Sequence, residues 1–243
     1  MEKLFSLFKD KKKLIFGVFV LGIVIFIVVI LLTGNSTYSL SDGALFKNEY
    51  EKLNNVASED GKKYPMVIVP DNNKMKYTSY DEVIDIFNNN GDAVVYLGYP
   101  TCLYCRTAVQ VLLNSSQNMD IDNILYLNIE KKHERYNELL DLLGDDFVSI
   151  EDNDKKIYSP LVIFIVDGNI VSYQKGTLFS QEDPYVELDK SQIDGLSEIY
   201  KYGIQDVING LNINGWLSSL FFLVDIMWYF LVKKDSYSSV KET

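Results

Sequence analysis

Apolar and polar positions change rhythm several times along the chain, and each change marks an element. From Leu14 to Leu32 nineteen residues run without a charge. At about 1.5 Å per helical residue, that length crosses a hydrocarbon layer of roughly 30 Å. Thr33 to about Gly61 is polar with weak periodicity and reads as a tether holding one helix around Phe46–Leu53. Met66-Val67-Ile68-Val69 reads as a short strand, and Ser79-Tyr80-Asp81-Glu82 as a cap opening a helix through Phe87. Asp92 to Gly98 is a buried strand. Cys102 to Leu113 follows as a helix with Val109, Leu112 and Leu113 inward, and Ile124 to Ile129 as another strand. Tyr136, Leu139, Leu140 and Leu143 have helical spacing within His133–Leu143, which Gly144 stops. Asp145 to Lys156 is acidic and reads as a loop. Leu161 to Val166 is the strongest strand; Asp167-Gly168 turns it into Asn169–Tyr173 as a hairpin, and Ser191 to Leu211 closes the unit as a helix.

The predicted order is β-α-β-α-β-α-β-β-α, an α/β sheet covered on both faces. With 243 residues and 47% hydrophobic content, the chain can build one domain plus appendages. Its 23 lysines and arginines against 34 acids leave a net charge of −11, which argues against a nucleic-acid partner. Lys3, Lys9, Lys11, Lys12 and Lys13 precede the first apolar run, whereas only Lys47 and Lys52 lie in the next twenty residues after it. The positive-inside bias therefore puts the N-terminus in the cytoplasm and the following domain outside the cell membrane. A cleaved signal peptide fits less well, because its apolar region is usually shorter and Leu32-Thr33-Gly34-Asn35 has no small-x-small cleavage site.

A second apolar stretch, Gly215–Val232, carries Trp216, Trp228 and Tyr229 near its ends and Lys233-Lys234 after it, but also Asp225 inside it. Either it spans the membrane, with Ser218 and Asp225 on one face toward another helix or a partner, or it lies as an amphipathic helix on the membrane or the domain. The organisation is thus a basic cytoplasmic segment 1–13, a transmembrane helix 14–32, a tether 33–62, a domain 63–211, the segment 215–232 and a tail 233–243.

The two cysteines of the chain, Cys102 and Cys105, stand as Cys-x-x-Cys between a buried strand and a helix start. A thiol there meets backbone N–H groups that favour its thiolate, which makes the pair a redox candidate. A zinc site needs about four ligands, and with His133 as the single histidine no Cys/His set can be completed. A purely structural disulfide closing so short a loop removes little unfolded-state entropy. Cys102, at the helix start, is the expected nucleophile with the lower pKa, and Cys105, one turn on, the buried resolving thiol. Arg106 reads first as a solvated helix residue, with positive potential near the thiolate as the alternative. Tyr99, Tyr104 and Tyr158 surround these motifs, as packing or as peptide contacts, and His133 reads as a surface residue.

Three places together resemble the thioredoxin superfamily over roughly Lys63 to Leu211. They are Cys102-Leu103-Tyr104-Cys105 after the buried strand, Ser159-Pro160 before Leu161–Val166, and Asp167-Gly168 followed by Lys175-Gly176-Thr177. Tyr-Pro-Thr-Cys-Leu-Tyr-Cys-Arg with the N-terminal anchor is most similar to the bacteriocin-transport-accessory type of Gram-positive bacteria. The resemblance implies a mixed central sheet with helices on both faces and a cis proline at Pro160 facing the dithiol, which would leave the Ser159 backbone free to hold a substrate strand. The plain alternative is a proline that begins an edge strand, and Tyr104 is the aromatic residue expected as a further substrate contact. The resemblance implies no cofactor beyond a redox-active Cys102–Cys105 disulfide.

Thr101 replaces the aromatic residue that precedes the first cysteine in thioredoxins, Leu103-Tyr104 replaces their Gly-Pro, and Tyr96 falls where they keep a buried acid. Tyrosine titrates near 10 and is a poor general base, so proton transfer would fall to water or another residue, and the direction of electron flow stays open. The implied function is a membrane-anchored, extracytoplasmic thiol–disulfide oxidoreductase acting on exported proteins or peptides, served by an oxidant outside or by a membrane redox relay. The alternative is a non-catalytic accessory subunit beside a membrane transporter. A membrane-impermeant thiol reagent on intact cells is expected to label reduced Cys102; labelling only after lysis overturns the outward placement. If 215–232 spans, external protease spares a tag fused after Thr243, and loss of the tag reduces that segment to a surface helix.

Overall fold

A computed structural model of the chain describes residues 21–23, 40–151, 154–178 and 181–211. Of the first apolar run only 21–23 are described, as helix, and Gly215–Val232 and the two charged termini lie outside the described residues. Among the described residues no helix is long and apolar enough to cross a membrane.

The strand at the centre, β2 (Ala93–Gly98), is buried at all six positions. Its side chains alternate between two cores, as the period-two geometry of a strand requires. Val94 and Tyr96 enter one cluster, whereas Val95 and Leu97 enter the other. On its first flank β2 pairs in parallel with β3 (Ile124–Asn128), which pairs in parallel with β1 (Met75–Tyr77). On the second flank it runs antiparallel to β6 (Leu161–Val166), whose hairpin partner is β7 (Asn169–Lys175). The sheet order is β1-β3-β2-β6-β7, a mixed sheet. Helices α1 (Asp42–Glu51), α3 (Leu103–Ser116) and α5 (190–211) contribute to the core on one face of it. On the other face lie α2 (Tyr80–Asn88) and α4 (Tyr136–Leu143). Helix α2 begins with the expected capping box, Ser79 and Glu82 each bonding the other's backbone N–H.

Three expectations are corrected. Met66–Val69 does not join the sheet; the first strand is Met75–Tyr77 instead. The stretch keeps strand-like alternation, with Val67 and Val69 buried and Met66 and Ile68 more than 60% exposed, at 62% and 65%. Its backbone partners, however, are side chains. The Asn54 amide both donates to and accepts from Val67, and the Gln110 amide does the same for Ile68. Glu51 accepts from Val69 N–H, while Lys47 donates to its carbonyl.

The acidic stretch expected as a loop contains a short 3-10 turn and a hairpin, β4 (Val148–Glu151) with β5 (Asp154–Ile157). Val148 and Ile150 alternate with polar residues, but the acids and lysines around them give the stretch the composition of a loop. Finally, the stretch expected as a tether over 33–62 holds α1, with Phe46 and Tyr50 wholly buried. The compact unit therefore starts at Ser41. Aromatic rings explain the attachment: Phe46 stacks on Tyr50 at 4.4 Å and meets Tyr126 edge-on at 4.9 Å. Phe46→Ala is expected to cost about 3–5 kcal/mol in urea unfolding of the chain. A change within a few tenths of a kcal/mol would return α1 to the status of a tether.

Candidate active site

The loop after β2 leads directly into α3, and the two cysteines sit at that junction. Cys102 is the N-cap residue, with extended backbone at φ −73° and ψ 119°. Its Sγ accepts the Cys105 N–H at 3.1 Å, so sulfur takes the place of the usual capping oxygen. The two are joined as a disulfide, Cα to Cα 5.1 Å. Cys105 is fully buried and Cys102 half-buried, so an incoming thiolate can reach Cys102 first. The free N–H groups and dipole at the helix start favour negative charge on that sulfur once it is released.

Pairing of Leu97 with Leu161 in antiparallel β2 and β6 brings Pro160 to the sheet end that carries the dithiol loop. The Ser159–Pro160 peptide bond is cis. Gly176 N–H donates to the Pro160 carbonyl at 2.7 Å, whereas among the described residues the Ser159 amide and carbonyl make no backbone hydrogen bond. Ser159, Tyr158 and Tyr99 line one cleft of about 320 Å³, with Glu130, Lys132 and Lys156 from β3's end and the hairpin. That cleft adjoins the dithiol twice over: Cys102 N–H donates to Tyr99 carbonyl, and Thr101 Oγ1 donates to Glu130 Oε1 at 2.6 Å. Sequence reasoning missed Glu130, Lys132 and Lys156. The signal for Lys156 was the alternation on either side of the Asp152-Asn153-Asp154 run. Tyr104 is elsewhere, its hydroxyl donating to the Glu182 carbonyl at 3.1 Å. His133 is exposed and stacks on Tyr80 at 4.9 Å.

Arg106 departs from its expected solvated position. It is wholly buried. Its guanidinium donates to the carbonyls of Pro65 at 2.6 Å, Tyr50 at 2.9 Å and Pro100 at 3.2 Å, and to Asn54 Oδ1 at 2.7 Å. All four acceptors are neutral. Burial lowers its pKa from the ordinary value, yet a guanidinium keeps its proton throughout the biological range.

Tyr96, also wholly buried, shares a 2.8 Å hydrogen bond between its hydroxyl and that of Tyr50. Burial pushes its pKa up, so the phenol is neutral. A Cβ at Gly98 would lie only 2.5 Å from the Tyr96 hydroxyl, which explains a glycine where the strand meets the active loop. Comparison with protein-family models and with curated proteins finds no match. The mixed sheet with helices on both faces and the Cys-x-x-Cys pair are compatible with a thioredoxin-like fold on geometry alone. Among the described residues no cluster of His, Cys, Asp and Glu is placed to hold a metal.

Arg106→Met strips a donor from four oxygens; Asn54 Oδ1 keeps the Val67 N–H and the Tyr50 carbonyl keeps the Leu53 N–H, so the Pro65 and Pro100 carbonyls carry most of the expected loss of roughly 3 kcal/mol, at about 1–3 kcal/mol for each buried acceptor left unpaired. Chemical denaturation measures this; a loss under about 0.5 kcal/mol would mean that water replaces the guanidinium freely.

Proposed function

We propose that the protein is a membrane-anchored thiol–disulfide oxidoreductase of thioredoxin-like fold that exchanges disulfides with exported proteins or peptides. The observation that carries the reading is the asymmetry of the pair: Cys102, half-exposed, caps α3 beside the cleft, while Cys105 is buried behind it. Exchange needs that division, because the attacked or attacking sulfur must meet substrate and the second must remain to resolve the mixed disulfide. The Ser159 backbone in the cleft wall, which makes no backbone hydrogen bond among the described residues, suits an extended substrate segment that would supply its own N–H and C=O.

Membrane attachment is part of the proposal and rests on the charge-free run Leu14–Leu32 behind five lysines. Only eight residues separate that run from Ser41, where the compact unit begins. An anchored domain facing outward would meet proteins as they emerge, in the compartment where disulfides persist. The similarity to bacteriocin-transport-accessory proteins belongs to the same proposal and fits such a placement.

A neutral, wholly buried Tyr96 where the resemblance implies an acid supports a second reading, an accessory subunit that uses the fold for binding beside a membrane transporter. A Cys102/Cys105 double serine variant separates the two, because full function in cells requires the accessory reading. For the first reading, the purified chain is expected either to reduce insulin disulfides or to oxidise a reduced test protein. Cys105→Ser is expected to accumulate mixed disulfides on Cys102. No exchange in either direction by a folded protein would sink the enzyme reading, and trapping on Cys105 instead would reverse the nucleophile assignment.

A further inference from the structure

The stretch between β7 and α5 holds a buried acceptor that lacks a donor. Gln181 is only 8% exposed. Its Nε2 donates to the Val186 carbonyl at 3.0 Å, and its backbone N–H donates to the Leu178 carbonyl at 2.9 Å. One half of the amide therefore holds the loop in shape. The other half, Oε1, is buried and accepts nothing among the described residues. Buried side-chain oxygens are nearly always paired, so a lone one marks where a donor is missing. Gln181 lines a cleft of about 280 Å³ with Glu182, Asp183, Val186, Glu187 and Gln192.

The walls of that cleft favour a positive donor. Glu182, Asp183 and Glu187 are all exposed, and the Glu182 and Glu187 carboxylates make no ion pair or hydrogen bond among the described residues. Asp183 accepts only the Tyr185 N–H. Lys190, the one cation in 181–190, is bonded to Asp194. A bare metal ion fits poorly, because among the described residues no three His, Cys, Asp or Glu side chains are close enough to hold one. An ammonium or guanidinium brings its own hydrogens and can meet the amide oxygen and a carboxylate together. The cleft is also tied to the dithiol. Tyr104 stands between the two cysteines, and its hydroxyl donates to the Glu182 carbonyl at 3.1 Å. No residue lines both this cleft and the one at Ser159.

We infer that the Gln181 cleft takes a lysine or arginine side chain of the substrate, lying a few residues from the cysteine that meets Cys102, so that the protein acts on cationic peptide segments. This rests on the exchange reading above and gives it a substrate class. Gln181 Oε1 accepts from the incoming cation, and Glu182 and Glu187 balance its charge. One tyrosine side chain spans the gap between the dithiol and this wall, and an extended peptide advances about 3.3 Å per residue, which sets the few-residue spacing. The net charge of −11 draws such segments in from a distance.

The test uses the full chain carrying Cys105→Ser in a non-ionic detergent, with disulfide-linked peptide dimers. Each peptide has a single lysine at one of the four positions on either side of its cysteine, and a matching dimer has norleucine there. The Cys102 thiolate attacks the peptide disulfide: a Cys102–peptide bond forms, the peptide–peptide bond breaks, and one peptide leaves as the thiolate. Mass spectrometry follows the mixed disulfide. At low salt the lysine dimer is expected to react about fivefold faster than its match at one or two positions, the size of an exposed ion pair. The ratio is expected to fall toward one in about 1 M salt, where the screening length is about 3 Å. Adding Glu182→Gln with Glu187→Gln is expected to bring it within about twofold of one, and Gln181→Leu to lower it about twofold. Asp120→Asn with Asp122→Asn removes the same charge from the connection between α3 and β3 and is expected to leave the ratio as it was. If Gln181→Leu does not fold, the Glu182/Glu187 variant decides. A ratio of one at every position, or an equal fall in the Asp120/Asp122 variant, overturns the inference and leaves exchange intact. If neither dimer reacts, the exchange reading fails, and binding of the same peptides with serine for cysteine decides the cleft. A lysine preference there keeps it as a cation site, and no preference removes it.

Discussion

The guanidinium of Arg106 is the constraint around which the dithiol end of the molecule is assembled. One planar group with its fork of donors joins four separate stretches: the end of α1 through Tyr50, the turn at Asn54, the chain at Pro65 and the loop at Pro100. Backbone bonds from Leu53 N–H to the Tyr50 carbonyl and from Tyr64 N–H to the Val56 carbonyl already tie the first three together, and the cation adds the loop at Pro100 to them. Without the cation, three carbonyls and one amide oxygen would face each other in the interior, which is why the segment before the sheet and the loop carrying Cys102 depend on the same side chain.

The tyrosines continue the theme of neutral polarity in the interior. Tyr50, Tyr96, Tyr126 and Tyr200 are all buried on one face of the sheet. Burial lifts the pKa of each, so none contributes a charge. Tyr50 and Tyr96 share one hydrogen bond, while among the described residues the Tyr126 and Tyr200 hydroxyls find no hydrogen-bond partner. Ring packing compensates: Tyr126 touches Phe46, Tyr50, Tyr77 and Tyr96.

Local pattern carried much of this into view from the sequence. The capping box at Ser79, the buried run of β2, the turn at Asp167-Gly168 and the helix after Cys102 are each written in adjacent residues, and each appears where the pattern puts it. What stayed hidden depends on distant partners. Met66–Val69 has the composition of a strand, but the groups that bind its backbone come from Asn54 and Gln110, up to 42 residues away. Three-residue β1 is too short to show a period, and Lys76 in its middle is exposed. Arg106 looked like any charged residue on a helix, because its four acceptors are mostly backbone oxygens that no side-chain pattern reveals. The cleft residues Glu130 and Lys132 follow β3 as an ordinary charged run, and only the hairpin folded against them makes them walls.

The two amide clamps on Met66–Val69 have a consequence for how the chain behaves among its own copies. A stretch of four β-prone residues with two large side chains exposed is the kind of sequence that recruits another strand. Here the N–H and C=O of Val67 are occupied by Asn54 and those of Ile68 by Gln110, leaving little main chain for a neighbour to bond. A glutamine and an asparagine, neutral at every pH, thus mask a sticky edge that charge or proline guards elsewhere, and they do so without removing the apolar residues whose inward members hold α1 to the core.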